Sequence, residues 1–309
     1  MSVTRIGAVV RARARRIANR ALDLYDTRSS GLPERLQTPI LIVGAPRSGS
    51  TLLYQVMVER FDLAYLSNRH CCWHGAPSLV ERRVRGAGHT ATYSSHHGFE
   101  TGATAPSECG GYWYRFFPRS PHHVPIAAAD QAKLRGLRRS VARFGAEAGR
   151  PIVFKNLFCS LRLEPIAAAL PEALFLVIER DLLDNARSLL ASRMRRFGGY
   201  SQWWSAEPPG IERLRALPPE QQVVEQIRGV AAAIASARET IGADRFLDVG
   251  YESLCENPRL TTAAIGEFCA RHGTHLKVHG EIPQRFDRAP GAAIDRALES
   301  ALEHYARSG

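Results

Sequence analysis

The residues most able to do chemistry sit in one short run. Positions 39 to 53 read Pro-Ile-Leu-Ile-Val-Gly-Ala-Pro-Arg-Ser-Gly-Ser-Thr-Leu-Leu. An apolar run of strand length enters a glycine-bounded turn, and a helical pattern follows. The frame G-x-x-x-x-G-x-[ST] is that of a phosphate-binding loop, in which backbone N–H groups at a helix N-terminus cradle an anion. Ser50 stands where the nucleoside-triphosphate version of the loop has its lysine, so the side chain that reaches the β/γ-phosphates is missing. Arg47, inside the turn, supplies a cation instead, and Ser48, Gly49, Ser50 and Thr51 complete the cradle. Such a loop fits a phosphate-type ligand and not ATP or GTP hydrolysis. Two further cations end apolar runs: Lys155 in Pro-Ile-Val-Phe-Lys-Asn, and Arg180 after Ala-Leu-Phe-Leu-Val-Ile-Glu. Ser188 lies eight residues past Arg180 in the next helical pattern. An Arg at a strand end and a Ser in the following helix can hold one phosphate from two sides.

The elements that must position these groups follow from the apolar patterning. Strands are expected near 40–43, 63–66, 151–156, 173–179 and 246–251, and the all-apolar character of 40–43 fits a central parallel strand. Helical patterns lie between them, near 50–60, 131–148, 161–170, 184–195 and 220–241, with further helices near 258–273 and 289–307. Asp181 or Asp184 can cap the helix after Arg180, and Asn257-Pro258 opens another. Alternating strands and helices imply an α/β fold with a parallel central sheet flanked by helices. Ligands of such sheets bind outside the carboxyl ends of the strands, where Arg47, Lys155 and Arg180 can converge. The stretch near 67–125 is poor in periodicity and rich in His, Gly, Pro and aromatics, and that near 197–219 is irregular with Trp203, Trp204 and several prolines; both are read as substrate-loop insertions. Residues 1–38 are read as a basic N-terminal helical extension and 39–309 as a single α/β domain.

Four segments together resemble the sulfotransferases that use 3′-phosphoadenosine-5′-phosphosulfate (PAPS). Gly-Ala-Pro-Arg-Ser-Gly-Ser-Thr-Leu-Leu resembles their 5′-phosphosulfate loop. The run from Phe175 through Arg180 to Ser188 resembles their 3′-phosphate motif. Phe154-Lys155-Asn156 is similar to the strand-end Lys that approaches the sulfuryl group, and Tyr251-Glu-Ser-Leu to the segment whose Tyr lies near the adenine. All four stand in the family's order between residues 39 and 270. The resemblance implies a P-loop-like sulfotransferase architecture of bacterial type. It implies PAPS as co-substrate without a metal, and transfer of a sulfuryl group to a hydroxyl, less readily an amine, of a carbohydrate, lipid or natural product, with release of PAP. Arg47 and the cradle would hold the 5′-phosphate, Arg180 and Ser188 the 3′-phosphate, Tyr251 the adenine, and Lys155 the bridging or sulfuryl oxygens. A compact ammonium suits that last role, and Lys155 is one of only three lysines among 41 basic residues. The chain departs from the family at the base: Leu157 stands where cytosolic members have a His, and Ser67-Asn68 where tyrosylprotein-type members have a Glu. Glu108, in Ala-Pro-Ser-Glu-Cys-Gly-Gly-Tyr-Trp, is the first candidate to take the acceptor proton, followed by His97, His96 and His70.

Composition bounds the alternatives. The chain has 309 residues, 45% hydrophobic and 23% charged, and a net charge of +11, which favours anionic ligands. A P-loop kinase or NTPase would need the missing loop lysine. A basic protein for nucleic acid would need a basic stripe with stacking aromatics, whereas the arginines are spread throughout. The Arg-dense first twenty residues do not read as a secretory signal; they are expected to form a helix packed on the domain, with weak contact to an anionic membrane surface as the alternative. The six cysteines show no disulfide framework, which fits reduced thiols in a cytoplasm. His70-Cys-Cys-Trp-His74 has the spacing of two zinc ligands but no second pair follows, so no metal site is read there. His122-His123 is read as a polar loop, and Trp203 and Trp204 as packing or as an acceptor wall.

Overall fold

The computed structural model describes residues 3–28, 36–84, 91–93, 101–288 and 294–308. His96 and His97 lie outside the described residues. The chain opens with helix α1 (Val3–Arg28), followed by strand β1 (Pro39–Gly44), α2 (Ser50–Arg60) and the short strand β2 (Ala64–Tyr65). Helices α3 (Asn68–Cys72), α4 (Pro77–Val84), α5 (Gly110–Trp113) and α6 (Gln131–Ala148) lead to β3 (Ile152–Lys155). Then come α7 (Leu163–Ala169), β4 (Leu174–Glu179), α8 (Leu182–Phe197), α9 (Ile211–Arg215) and α10 (Pro219–Ile241). Strand β5 (Phe246–Gly250) is followed by α11 (Tyr251–Glu256), α12 (Pro258–Arg271) and α13 (Arg296–Ser308).

The five strands form one parallel sheet in the order β2-β3-β1-β4-β5. Every residue of β1 is buried, as its unbroken apolar run requires of a central strand covered on both faces. One face packs α6, α7, α8 and α10 around Leu41, Val43, Phe154 and Phe175; the other packs α2, α11 and α12 around Ile40, Ile42, Leu176 and Ile178. The α/β reading and the strand positions therefore hold.

The stretch after residue 67 is more ordered than its sequence predicts. It carries α3, α4 and α5, helices too short to show an apolar period. Ser67 and His70 form a reciprocal capping box at α3, and α5 buries Tyr112 and Trp113 in the core. The connection after α8 is also organised, by a fully buried Arg193. Its guanidinium donates to Gln222 Oε1 at 2.7 Å and Tyr200 O at 3.2 Å, and lies 5.2 Å from the Trp203 ring centroid. Burial among neutral partners lowers the Arg193 pKa to about 10. Trp203, whose Nε1 donates to Ala206 O, thus belongs to packing.

At the end of β1 the backbone of Gly44 runs against β4. A Cβ there would lie 2.5 Å from Ile178 O, and φ is +151°. The Gly44 N–H and C=O are both closed by Ser160 Oγ, at 3.0 and 3.1 Å. Gly44→Ala is expected to destabilise the fold by more than ~2 kcal/mol in denaturant unfolding. A loss below ~0.5 kcal/mol would mean that the close approach does not constrain the loop.

Candidate active site

Parallel register decides what reaches the loop. Ile42 pairs with Lys155 on one side of β1, and Gly44 with Ile178 on the other. Lys155 and Arg180 therefore leave neighbouring strands on opposite sides of the turn that Gly44 begins. A cavity of about 790 Å³ opens there, lined among others by Arg47, Gly49, Ser50, Thr51, Glu108, Lys155, Arg180 and Tyr251.

Gly49 caps α2 in the left-handed region, with φ of +96°. A Cβ at Gly49 would overlap the Tyr251 ring, so glycine is what lets Tyr251 close on the loop. The first backbone bond of α2 runs from Leu53 N–H to Gly49 O at 3.1 Å. The amides ahead of it belong to the helix's unpaired first turn, and Ser50, Thr51 and Leu52, which carry them, line the cavity. Ser48 departs from the expected cradle. Its amide closes the turn on Ala45 O, and its side chain is buried away from this cavity, because the turn must fold back on itself to aim the later amides outward.

The cations cluster more tightly than their sequence positions imply. Arg47, with φ of +68°, turns its side chain toward α8 and donates from Nε to Ser188 Oγ at 3.1 Å. Burial, then the nearby charges of Arg195 and Arg180, lower the Arg47 pKa. Arg180 does not pair with Asp184, which binds Arg187 instead. Its guanidinium lies 4.6 Å from the Tyr251 ring centroid, and its buried Nε has no hydrogen-bond partner among the described residues. Several arginines at one mouth, with a buried unused donor, are chemically suited to an anion. Arg195 lies two helical turns beyond Ser188 on α8, a spacing that could have flagged it, and Arg196 lines the cavity.

Lys155 is 3% exposed and is held from two directions. Its Nζ donates to Thr51 Oγ1 at 3.1 Å and forms an ion pair with Glu108 Oε1. Asn156 Nδ2 fixes the Glu108 backbone carbonyl at 3.1 Å. The loop, the end of β3 and the segment before α5 thus meet at one ammonium group. A carboxylate beside an ammonium, both opening on a cavity that holds anion donors, can accept a proton while the cation stabilises developing negative charge.

The remaining base candidate among the described residues stands elsewhere. His70 is 1% exposed, bonds Ser67 through Nδ1 and faces Glu81 through Nε2, so its polar atoms serve the α3–α4 corner and not the cavity. Conversely, His122 lines the cavity, its ring tilted against that of Phe158 with centroids 4.3 Å apart. Burial lowers its pKa, opposed by Glu207. Nothing local in His122-His123 distinguishes it; Arg162, buried behind it, holds the His122 carbonyl at 2.9 Å. Leu157, Phe158, Trp204, Tyr93 and Phe286 also line the cavity and give it apolar surface.

Residues 39–272 match the family model described as "Sulfotransferase family". No curated protein gives a sequence match. Among solved structures, the chain is similar to sulfotransferase STF9 from Mycobacterium avium at 16% identity, covering 89% of this chain and 69% of that one, with a TM-score of 0.49. It is also similar to a sulfotransferase from Alicyclobacillus acidocaldarius, at 16% identity, 89% and 93% coverage and a TM-score of 0.46. A third is the sulfotransferase domain of the Synechococcus PCC 7002 olefin synthase, at 19% identity, 80% and 78% coverage and a TM-score of 0.39. The family match spans most of the chain and takes in the loop, the Lys155–Glu108 pair and the Arg180–Ser188 face, and the chain belongs to the sulfotransferase family.

Proposed function

We propose that this enzyme transfers the sulfuryl group of PAPS to a hydroxyl group of a carbohydrate, lipid or natural-product acceptor. The observation that carries the reading is the two-sided hold on Lys155, between Thr51 of the phosphate loop and the carboxylate of Glu108. PAPS brings phosphates at both ends of its ribose. The amides of Gly49, Ser50 and Thr51 with Arg47 would take the 5′-phosphate; Arg180 and Ser188 the 3′-phosphate; Tyr251 the adenine. The buried, unpartnered Arg180 Nε and the crowded arginines support this fit.

In the transfer, the bond between sulfur and the bridging phosphate oxygen breaks as the acceptor oxygen bonds to sulfur. Lys155 would donate to the bridging oxygen as negative charge grows there, and Glu108 would take the acceptor's proton. PAP leaves with the electron pair of the broken bond. The acceptor would rest against Leu157, Phe158, His122 and Trp204, which keep water from competing for the sulfuryl group. All six cysteines are free thiols, in keeping with a cytoplasmic enzyme.

PAP in large excess over its Kd is expected to raise the melting temperature by several degrees, and Arg180→Ala to reduce the shift. An ATP–magnesium shift larger than that of PAP would refute the donor assignment. With labelled PAPS and a panel of hydroxyl acceptors, Lys155→Ala is expected to lower kcat by about 10²–10³-fold. Glu108→Gln is expected to lower kcat by about 10²–10⁴-fold while PAP affinity stays within about threefold. Transfer by Glu108→Gln within tenfold of the parent would assign the base to another group.

A further inference from the structure

Helix α1 carries a feature the active site does not use. It packs along α6 and has two acids, Asp23 and Asp26, both turned inward on Arg115, whose Nε reaches Asp23 at 2.7 Å and whose Nη2 reaches Asp26 at 2.9 Å. With the acids spent there, the outward charges of α1 are arginines. Arg13, Ile17, Arg20 and Leu24 follow one another at i, i+4, i+7 and i+11 and form one exposed stripe. Ile17 is 69% and Leu24 48% exposed, so the stripe alternates cations with bare aliphatic groups. Among the described residues, neither Arg13 nor Arg20 enters an ion pair.

Beside this stripe lies an apolar groove of about 610 Å³ between α1 and the α3–α4 corner. Ala18, Ala21, Leu22, Leu79 and Val80 line it, with Trp73 at one edge and Arg69 and Arg83 at its rim. Trp73 is 42% exposed and lies under Arg15, whose Cζ is 5.9 Å from the ring centroid. Apolar groove, half-exposed Trp and cationic rim are thus continuous. No helix among the described residues is long and apolar enough to cross a membrane.

We infer that this face docks on an anionic phospholipid surface, with the arginines against headgroup phosphates and Trp73, Ile17 and Leu24 at the acyl boundary. A surface helix with a cationic face and interleaved aliphatic and aromatic groups gains from both layers of a bilayer interface. Nucleic acid would reward the arginines only, because a phosphate backbone offers nothing to bury Ile17, Leu24 or the groove. The inference does not depend on the donor or acceptor of the active site.

Vesicle co-sedimentation of the full chain tests it, with phosphatidylcholine vesicles and vesicles that also contain phosphatidylglycerol. The chain is expected to sediment with the anionic vesicles only, less so as salt rises. Arg13→Gln with Arg20→Gln should lower the partition coefficient about 30-fold, at about fivefold per arginine near the surface, with no change in melting temperature. Trp73→Ala should weaken the part of binding that survives high salt. Failure to sediment, equal sedimentation with both vesicle types, or unchanged partition in the double variant would each overturn the inference. So would salt-sensitive binding to duplex DNA in place of vesicles. If the groove is covered by the chain's own segment, the vesicles will not be bound and the inference falls.

Discussion

The geometry of this enzyme rests on the pairing of β1 between β3 and β4. A central parallel strand fixes both neighbours in register, so the residues that leave them at their carboxyl ends are fixed relative to one another. Lys155 ends one neighbour and Arg180 follows the other. Between them β1 delivers the loop, and Gly44 and Gly49 make room for β4 and for Tyr251. Each strand end contributes one cation, and each cation is held by a different second element: Lys155 by Glu108, Arg47 by Ser188 on α8, Arg180 by the Tyr251 ring.

This division explains the missing loop lysine. A triphosphate loop concentrates its cation inside the turn to follow the β/γ-phosphates. Here the ammonium sits on the neighbouring strand and reaches back to Thr51, leaving the loop amides unencumbered. The arginines gather on the other side, where burial and the charges of Arg195 and Arg180 act on the Arg47 guanidinium. Concentrated like charge is costly in the free protein and is repaid on binding, a common bargain at functional sites.

Local patterns were legible in the sequence where one element carries them. The apolar run, the turn glycines and the first turn of α2 are contiguous, and Arg180 and Ser188 are read across a single strand–helix step. Lys155 stands out in a chain whose cations are nearly all arginine. Contacts between distant segments were less legible. Glu108 could be named from its loop, but its ion pair with Lys155 spans 47 residues and no local rule fixes it. Arg47 bonding Ser188, rather than acting within its own loop alone, depends on a left-handed backbone conformation that no pattern announces. His122 was passed over because its position in the cavity is set by Arg162 and Phe158 from another part of the chain. The helices after residue 67 are short: α3 rests on a capping box, and α5 on burial of Tyr112 and Trp113 against distant parts of the chain, which no local apolar period announces.

The central claim is that Arg180 and Ser188 form a phosphate site separate from the loop amides yet bound by the same ligand. Calorimetric titration of PAP and of adenosine 5′-phosphate against the parent protein and Ser188→Ala tests it most directly. PAP is predicted to bind the parent at least about tenfold more tightly than adenosine 5′-phosphate, the worth of one to two charge-assisted hydrogen bonds. Part of that advantage should vanish in Ser188→Ala, which removes one of the two side chains on the 3′-phosphate. Equal affinity of the parent for the two nucleotides would contradict the account.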